Sequence, residues 1–269
     1  MGAIFENFHG IKLVSGPHTH PGSGPAKNHE FEWLQFSKVL DLLAGGDRKP
    51  VMLEVGAFWG LWSLAFRQRY PQGQNILVEY GSHQLNVGKT NFRLNGYDAE
   101  FIHGGVFLNS SGTAHRADQD VRYLKDKTEG LPGSELDLDI FFSGRYRIDL
   151  IHADIQGSEK DFINYLLAGN LLEKINNQIL VVCTHSAANH HEIKRRLQGS
   201  YSLIQEEYTY GYLGHFAFRS LRLFGRKNRD AIFNLIVTQQ LISFFERVFR
   251  ISGQTVGVGK DGWLVFMRN

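Results

Sequence analysis

Val51 to Ser63 reads VMLEVGAFWGLWS, an apolar run that meets two glycines and then resumes with a different period. Val51, Met52, Leu53 and Val55 suit an inner strand of a parallel sheet, and Gly56 and Gly60 punctuate it. Leu61, Trp62, Leu64, Ala65 and Phe66 recur with helical spacing. The stretch therefore predicts strand, glycine turn and helix. In a doubly wound sheet that junction lies at the carboxyl ends of the strands, beside a helix amino terminus, where ligands bind.

A dinucleotide turn needs small residues where a pyrophosphate approaches the backbone, and here Phe58 and Trp59 fill that approach. The pattern is instead E-x-G-x-x-x-G, with Glu54 ending the strand, Gly56 opening the turn and Gly60 letting helix pack on strand. A carboxylate at that place suits a cationic ligand carrying an ammonium and a sulfonium, which describes S-adenosylmethionine. The next apolar strand, Asn75 to Tyr80, ends near Glu79, about 20 positions beyond the turn, where an acidic residue accepts hydrogen bonds from ribose hydroxyls.

The rest of the chain fits around this unit. Residues 1–28 are rich in glycine, proline and histidine and read as an arm or lid; His18 and His20 alone are a weak metal signal. The remainder, 29–269, reads as one domain. It has helices over His29 to Ala44 and Gly81 to Asn95 and a third strand over Ala99 to Phe107. Leu108 to Tyr146 lacks periodicity and reads as loops and short strands. Ile148 to Asp154, Ile179 to Thr184, Tyr201 to Glu206 and Gly262 to Met267 complete the strands. Asp154 ends a core strand at the ligand rim, and His185 stands just past the tip of the next. Ser158 with Asp161, and Asn189 with Glu192, have the spacing of helix caps.

An insert, 211–259, precedes the last strand. Within it Ala231 to Arg250 is a helix candidate for covering a cleft or forming a homo-oligomer face, too polar to span a membrane. With 269 residues and 42% hydrophobic content the chain can bury one large core. The formal net charge of +2 gives no case for nucleic acid, although arginines cluster between Arg219 and Arg250. Cys183 is the only cysteine and lies in an apolar run, so it reads as packed. No signal-peptide order and no membrane-length apolar run is present, which predicts a cytoplasmic protein.

EVGAFWGLW, VEYGSHQLNVGKTNFRLNG, ELDLDIFFSGRYRIDLIHADIQGSE, VVCTHS and DGWLVF together resemble the FkbM branch of the S-adenosylmethionine-dependent methyltransferases, from roughly Glu30 to the carboxyl terminus. The resemblance implies an α/β, Rossmann-like class I methyltransferase fold, a mostly parallel sheet of seven strands with the last antiparallel and helices on both faces. It also implies methylation of a hydroxyl, less often an amine, on a sugar, glycan or secondary metabolite. Where relatives resemble D-x-E-G, this chain has Asp154-Ile155-Gln156-Gly157, so one carboxylate is missing, and Tyr80-Gly81 replaces a common proline.

The cofactor-binding set expected is Glu54, Gly56, Ala57, Phe58, Gly60, Glu79, Tyr80 and Asp154. His185 is the expected general base, with Asp154 orienting it, binding the substrate hydroxyl, or joining it as ligand to a divalent metal such as Mg2+. Two other readings stay open: a non-catalytic binding or scaffold protein on the same fold, and an N-methyltransferase. A nicotinamide-linked oxidoreductase is disfavoured by Phe58 and Trp59.

Overall fold

The computed structural model describes residues 5–14, 25–43, 49–106, 134–145, 147–155, 157–185, 187–208 and 262–269. The expected insert 211–259 with its 231–250 helix, the 108–133 loops, His18, His20 and Gln156 lie outside these residues.

Val51–Val55 (β3), Gln74–Glu79 (β4), Leu150–Ala153 (β7) and Ile179–Thr184 (β8) are inner strands, and their near-continuous apolar runs are buried on both faces. Glu100–Gly105 (β5) and the two-residue strand Ser134–Glu135 (β6) extend the sheet on one side. Gly262–Arg268 (β10) and Tyr201–Tyr208 (β9) extend it on the other. The order is β6-β5-β4-β3-β7-β8-β10-β9, with β10 antiparallel to both neighbours and the other described pairings parallel. Apart from β6, one of the short strands expected between Leu108 and Tyr146, this is the seven-stranded order of a Rossmann-like class I methyltransferase sheet.

Alternate strand residues feed two cores. Leu53, Val55, Ile151, Leu180 and Val182 pack under Leu138–Phe142 (α4), Glu159–Ala168 (α5) and Ala187–Leu197 (α7), while the short helix Leu171–Lys174 (α6) closes the lower edge. Met52, Leu150, Ile179 and Val181 pack under Pro25–Leu42 (α1), Leu61–Arg69 (α2) and Ser82–Leu94 (α3). Helix α1 starts earlier than its periodicity suggested because Pro25 is tolerated in a first turn, where its missing N–H has no intrahelical partner.

Phe5–Phe8 (β1) and Ile11–Val14 (β2) form a hairpin with no counterpart in the sequence reading. His9 and Gly10 both have positive φ, 49° and 87°, as a two-residue hairpin turn of right-handed twist requires. Phe8, Ile11 and Leu13 are buried in the second core. Asn95 exchanges hydrogen bonds with the Lys12 backbone, fixing the hairpin against α3.

The chain runs outward from β3 through β4 to β5, then returns to lay β7 and β8 on the opposite side of β3. The strand order thus reverses between β3 and β7, and the carboxyl ends of those strands flank the crevice where such sheets bind ligands.

Candidate active site

The turn after β3 is pressed against the residue that follows β7. Gly56 has φ of 79°, and a Cβ built there would lie 1.8 Å from the Asp154 carbonyl oxygen. Only glycine fits at that approach. Asp154 N–H in turn donates to Val55 O at 2.9 Å, and the amides of Gly56 and Ala57 both donate to Val78 O at 3.0 Å. Gly60, φ 72°, would place a Cβ 2.9 Å from Leu77 and 3.1 Å from Phe92, which is why helix α2 can seat on β4 and α3.

Glu54 is 1% exposed, and its Oε2 accepts the Ser63 N–H at 3.0 Å in the first turn of α2. Burial pushes its carboxyl up to about 8 against the pull of the Ser63 bonds. Among the expected cofactor-binding residues Glu54 is thus buried at the junction, where it also braces strand to helix.

Glu79 ends β4 with 8% exposure. Its Oε2 accepts Phe58 N–H and its Oε1 accepts Gly81 N–H, both at 2.7 Å. Burial raises its pKa, and the backbone N–H groups of Gly81, Phe58 and Tyr80 work the other way. A carboxylate has about four acceptor positions, so these three N–H groups leave room for an incoming hydroxyl. Tyr80 is half-buried, and its carbonyl oxygen lies 3.0 Å from His103 Nε2. Glu54, Glu79 and Asp154 stand close enough that Asp154 raises the pKa of both glutamates. A cation placed beside them would favour their ionised forms.

His185 lies between two carboxylates. Its Nδ1 is 2.6 Å from Glu159 Oε1 and its Nε2 is 3.2 Å from Asp154 Oδ1. Burial acts to lower its pKa, but the hydrogen bonds to Asp154 and Glu159 and their charges outweigh it, and the pKa rises to about 10. The two carboxylates thus favour the protonated imidazolium, and both ring nitrogens are engaged. Glu159 opens α5 with its side chain wholly buried, and its Oε1 also accepts Gly157 N–H at 2.8 Å.

The sequence shows a carboxylate missing at Gln156 and nothing local that singles out Glu159. An acidic residue in the first turn of a helix is common for dipole reasons, and only its total burial against His185 sets it apart. The caps expected nearby differ as well. Ser158 makes no side-chain capping bond, and Asn189 lies inside α7, where its amide donates to Gly157 O at 3.0 Å. His190 faces away from the crevice, between Thr184 Oγ1 at 2.9 Å and Glu206 Oε1 at 3.0 Å.

Asp154, Glu159 and His185 offer ligand atoms within 4.8 Å of one another. A cation held among the three would take the place of one of the two hydrogen bonds that His185 now makes to Asp154 and Glu159.

No protein-family model matches the chain, and no curated protein matches it. Solved structures do resemble it. A protein named provisionally as an O-methyltransferase from Klebsiella pneumoniae superposes with a TM-score of 0.48 at 12% identity, over 94% of this chain and 86% of that one. The N-terminal domain of human METTL16 gives 0.47 at 9% identity, over 96% and 75%. A SAM-dependent methyltransferase from Agrobacterium tumefaciens gives 0.44 at 12%, and the match spans 73% of this chain and 59% of that one. These are likenesses of sheet architecture; the fold itself rests on the strand order above. Among the described residues no helix is long and apolar enough to cross a membrane.

Gly56, Ala57, Phe58 and Gly60, the Glu79 tip, and the Asp154 and His185 pair therefore stand along one rim of the sheet.

Proposed function

We propose that this chain is an S-adenosylmethionine-dependent methyltransferase, of the FkbM branch that its motifs resemble, acting on a hydroxyl of a sugar, glycan or secondary metabolite. The observation that carries the reading is the contact of the glycine turn with the Asp154 carbonyl. It supports the reading by bringing the glycine turn and an acid–imidazole pair together across the strand-order reversal. On this reading Glu79 holds the ribose, the backbone of the 56–60 turn lines the cofactor, and the carboxylates favour its ammonium and sulfonium. The cofactor supplies an electrophilic methyl group, and the protein's main contribution is to hold the acceptor oxygen about 3 Å from it in line with the leaving sulfur.

The acceptor hydroxyl loses a proton as it is methylated. His185, expected as the base, already carries its proton between Asp154 and Glu159. We therefore give the proton-accepting role to Asp154, whose side chain is 34% exposed, acting as one unit with His185, which steadies the negative charge developing on the oxygen. Glu159 fixes the ring. A divalent cation such as Mg2+ would sit where Asp154 meets His185 Nε2 and would acidify the hydroxyl. The imidazolium offsets one of the two negative charges, and the proposal routes the proton through Asp154 without a metal.

The test incubates purified protein with methyl-labelled S-adenosylmethionine and separate panels of sugars, glycans, amines and RNA. The expected product is an alkali-stable ether on a hydroxylated acceptor, formed equally well with excess EDTA. Label confined to amines or RNA would refute the acceptor class. Activity lost to EDTA and restored by Mg2+ would replace the Asp154 and His185 mechanism with the cation.

A further inference from the structure

Asn91 in helix α3 and Asn95 at its end stand one turn apart, and both side chains reach the amino-terminal hairpin. Asn95 Oδ1 accepts Lys12 N–H at 2.9 Å and its Nδ2 donates to Lys12 O at 2.7 Å, while Asn91 Oδ1 accepts Val14 N–H at 2.7 Å. Four helical residues rise about 6 Å and two strand residues about 6.7 Å, so side chains at i and i+4 of a helix meet alternate residues of a strand laid along it. The far end of the hairpin is tied as well. Gln68 Nε2 donates to His9 O at 2.8 Å, and the His9 ring stacks on Trp33 of α1 with centroids 4.6 Å apart. With Phe8, Ile11 and Leu13 buried beneath it, the hairpin docks as one unit.

Asn91 has a second bond. A backbone N–H can only donate, so Val14 fixes Oδ1 as the acceptor and leaves Nδ2 to donate, which it does to Trp59 O at 3.1 Å, inside the turn between Gly56 and Gly60. Asn91 is 1% exposed, so either bond is costly to lose. Gly88, one turn earlier in α3, lies against the same stretch of backbone: a Cβ there would stand 3.5 Å from Trp59 O and 3.6 Å from Phe58 O. The turn needs such support because Phe58 holds φ of 47°, a strained value for a residue with a Cβ. Its backbone is thus held between Glu79, which takes the Phe58 N–H, and Asn91, which takes the Trp59 carbonyl.

We infer that Asn91 is a positioning residue that couples the amino-terminal hairpin to the adenosyl-ligand turn, so that docking of the hairpin and binding of the ligand strengthen one another. This inference rests on the adenosyl reading above, and in it Asn91 acts only through the Trp59 carbonyl. Such coupling is reciprocal: what the hairpin gives to ligand affinity, the ligand returns to hairpin docking.

Amide hydrogen exchange and titration calorimetry with S-adenosylhomocysteine, on the whole chain as wild type and as Asn91→Asp, test it. In wild type, saturating ligand slows exchange of the Val14 amide by at least about five-fold beyond any slowing at the amides of β9, on the far edge of the sheet. Asn91→Asp keeps an oxygen for Val14 and loses the donor to Trp59 O. It binds the ligand at least about five-fold more weakly, and its Val14 amide no longer responds to saturating ligand. A purely structural Asn91 would instead lower the melting temperature of Asn91→Asp and leave both affinity and the Val14 response unchanged, which would overturn the inference. The wild-type exchange measurement needs no substitution, so it decides the matter even where Asn91→Asp fails to fold. A wild type that binds no S-adenosylhomocysteine defeats the adenosyl reading and the coupling with it, whereas binding that leaves Val14 exchange unaltered defeats the coupling alone.

Discussion

Gly56→Ala removes adenosyl-ligand binding and lowers the unfolding free energy by about 3 kcal/mol or more, as expected of a substitution that strains a special backbone position. Two costs combine. A non-glycine residue at φ 79° is disfavoured, by roughly 1–2 kcal/mol. The larger cost is steric: the new Cβ lies 1.8 Å from the Asp154 oxygen and 2.8 Å from its carbonyl carbon, both backbone atoms that no rotamer change can move. Relief requires separating the ends of β3 and β7, which opens the crevice where the ligand sits. Urea unfolding and calorimetry on the same variant check both effects, and an alanine variant with wild-type stability and affinity would contradict the close approach.

His185→Ala leaves Glu159 buried with no cationic partner, and breaking one side of a buried pair costs about 3–5 kcal/mol. On the proposed reading methyl transfer falls by about 10²–10⁴-fold, because the Asp154 and His185 unit that takes up the proton is broken. The stability effect depends on pH with a defined sign. The His185 pKa is raised from 6.5 to about 10 in the folded protein. Its contribution is whole below the unfolded value and is lost as pH rises through the folded one. The stability gap between wild type and His185→Ala therefore narrows from pH 6.5 towards pH 10. A gap that widens over that range in urea midpoints would mean the histidine is neutral in the clamp. Where alanine prevents folding, Glu159→Gln keeps a hydrogen-bonding side chain beside Nδ1, removes the charge, and lowers the His185 pKa in an NMR titration.

What the sequence revealed and what it hid follow from range of interaction. Strand β8 could be read to the residue because a fully buried strand must be apolar throughout, and Ile179 to Thr184 is bounded by Gln178 and His185. The glycine turn was legible because Gly56 and Gly60 have few other uses between a strand and a helix. The reason Gly56 is required, the Asp154 carbonyl, comes from a strand distant in sequence. Glu54 was legible by type and place, but not its burial or the Ser63 N–H that its Oε2 accepts. Hairpin β1 to β2 went unread because its His9-Gly10 turn lies in a stretch whose glycines and prolines suggested only loop. Glu159 was visible as a residue and invisible as a partner, since nothing local distinguishes a helix-opening acid from one buried against an imidazole.

The most direct test of the adenosyl reading is calorimetric titration of the folded protein with S-adenosylhomocysteine, comparing wild type with Glu79→Ala. Micromolar binding that weakens at least about ten-fold in the variant, roughly 1.4 kcal/mol, is the predicted result. Absence of binding to folded wild type, or equal affinity in Glu79→Ala, would contradict the placement of the ribose at the tip of β4.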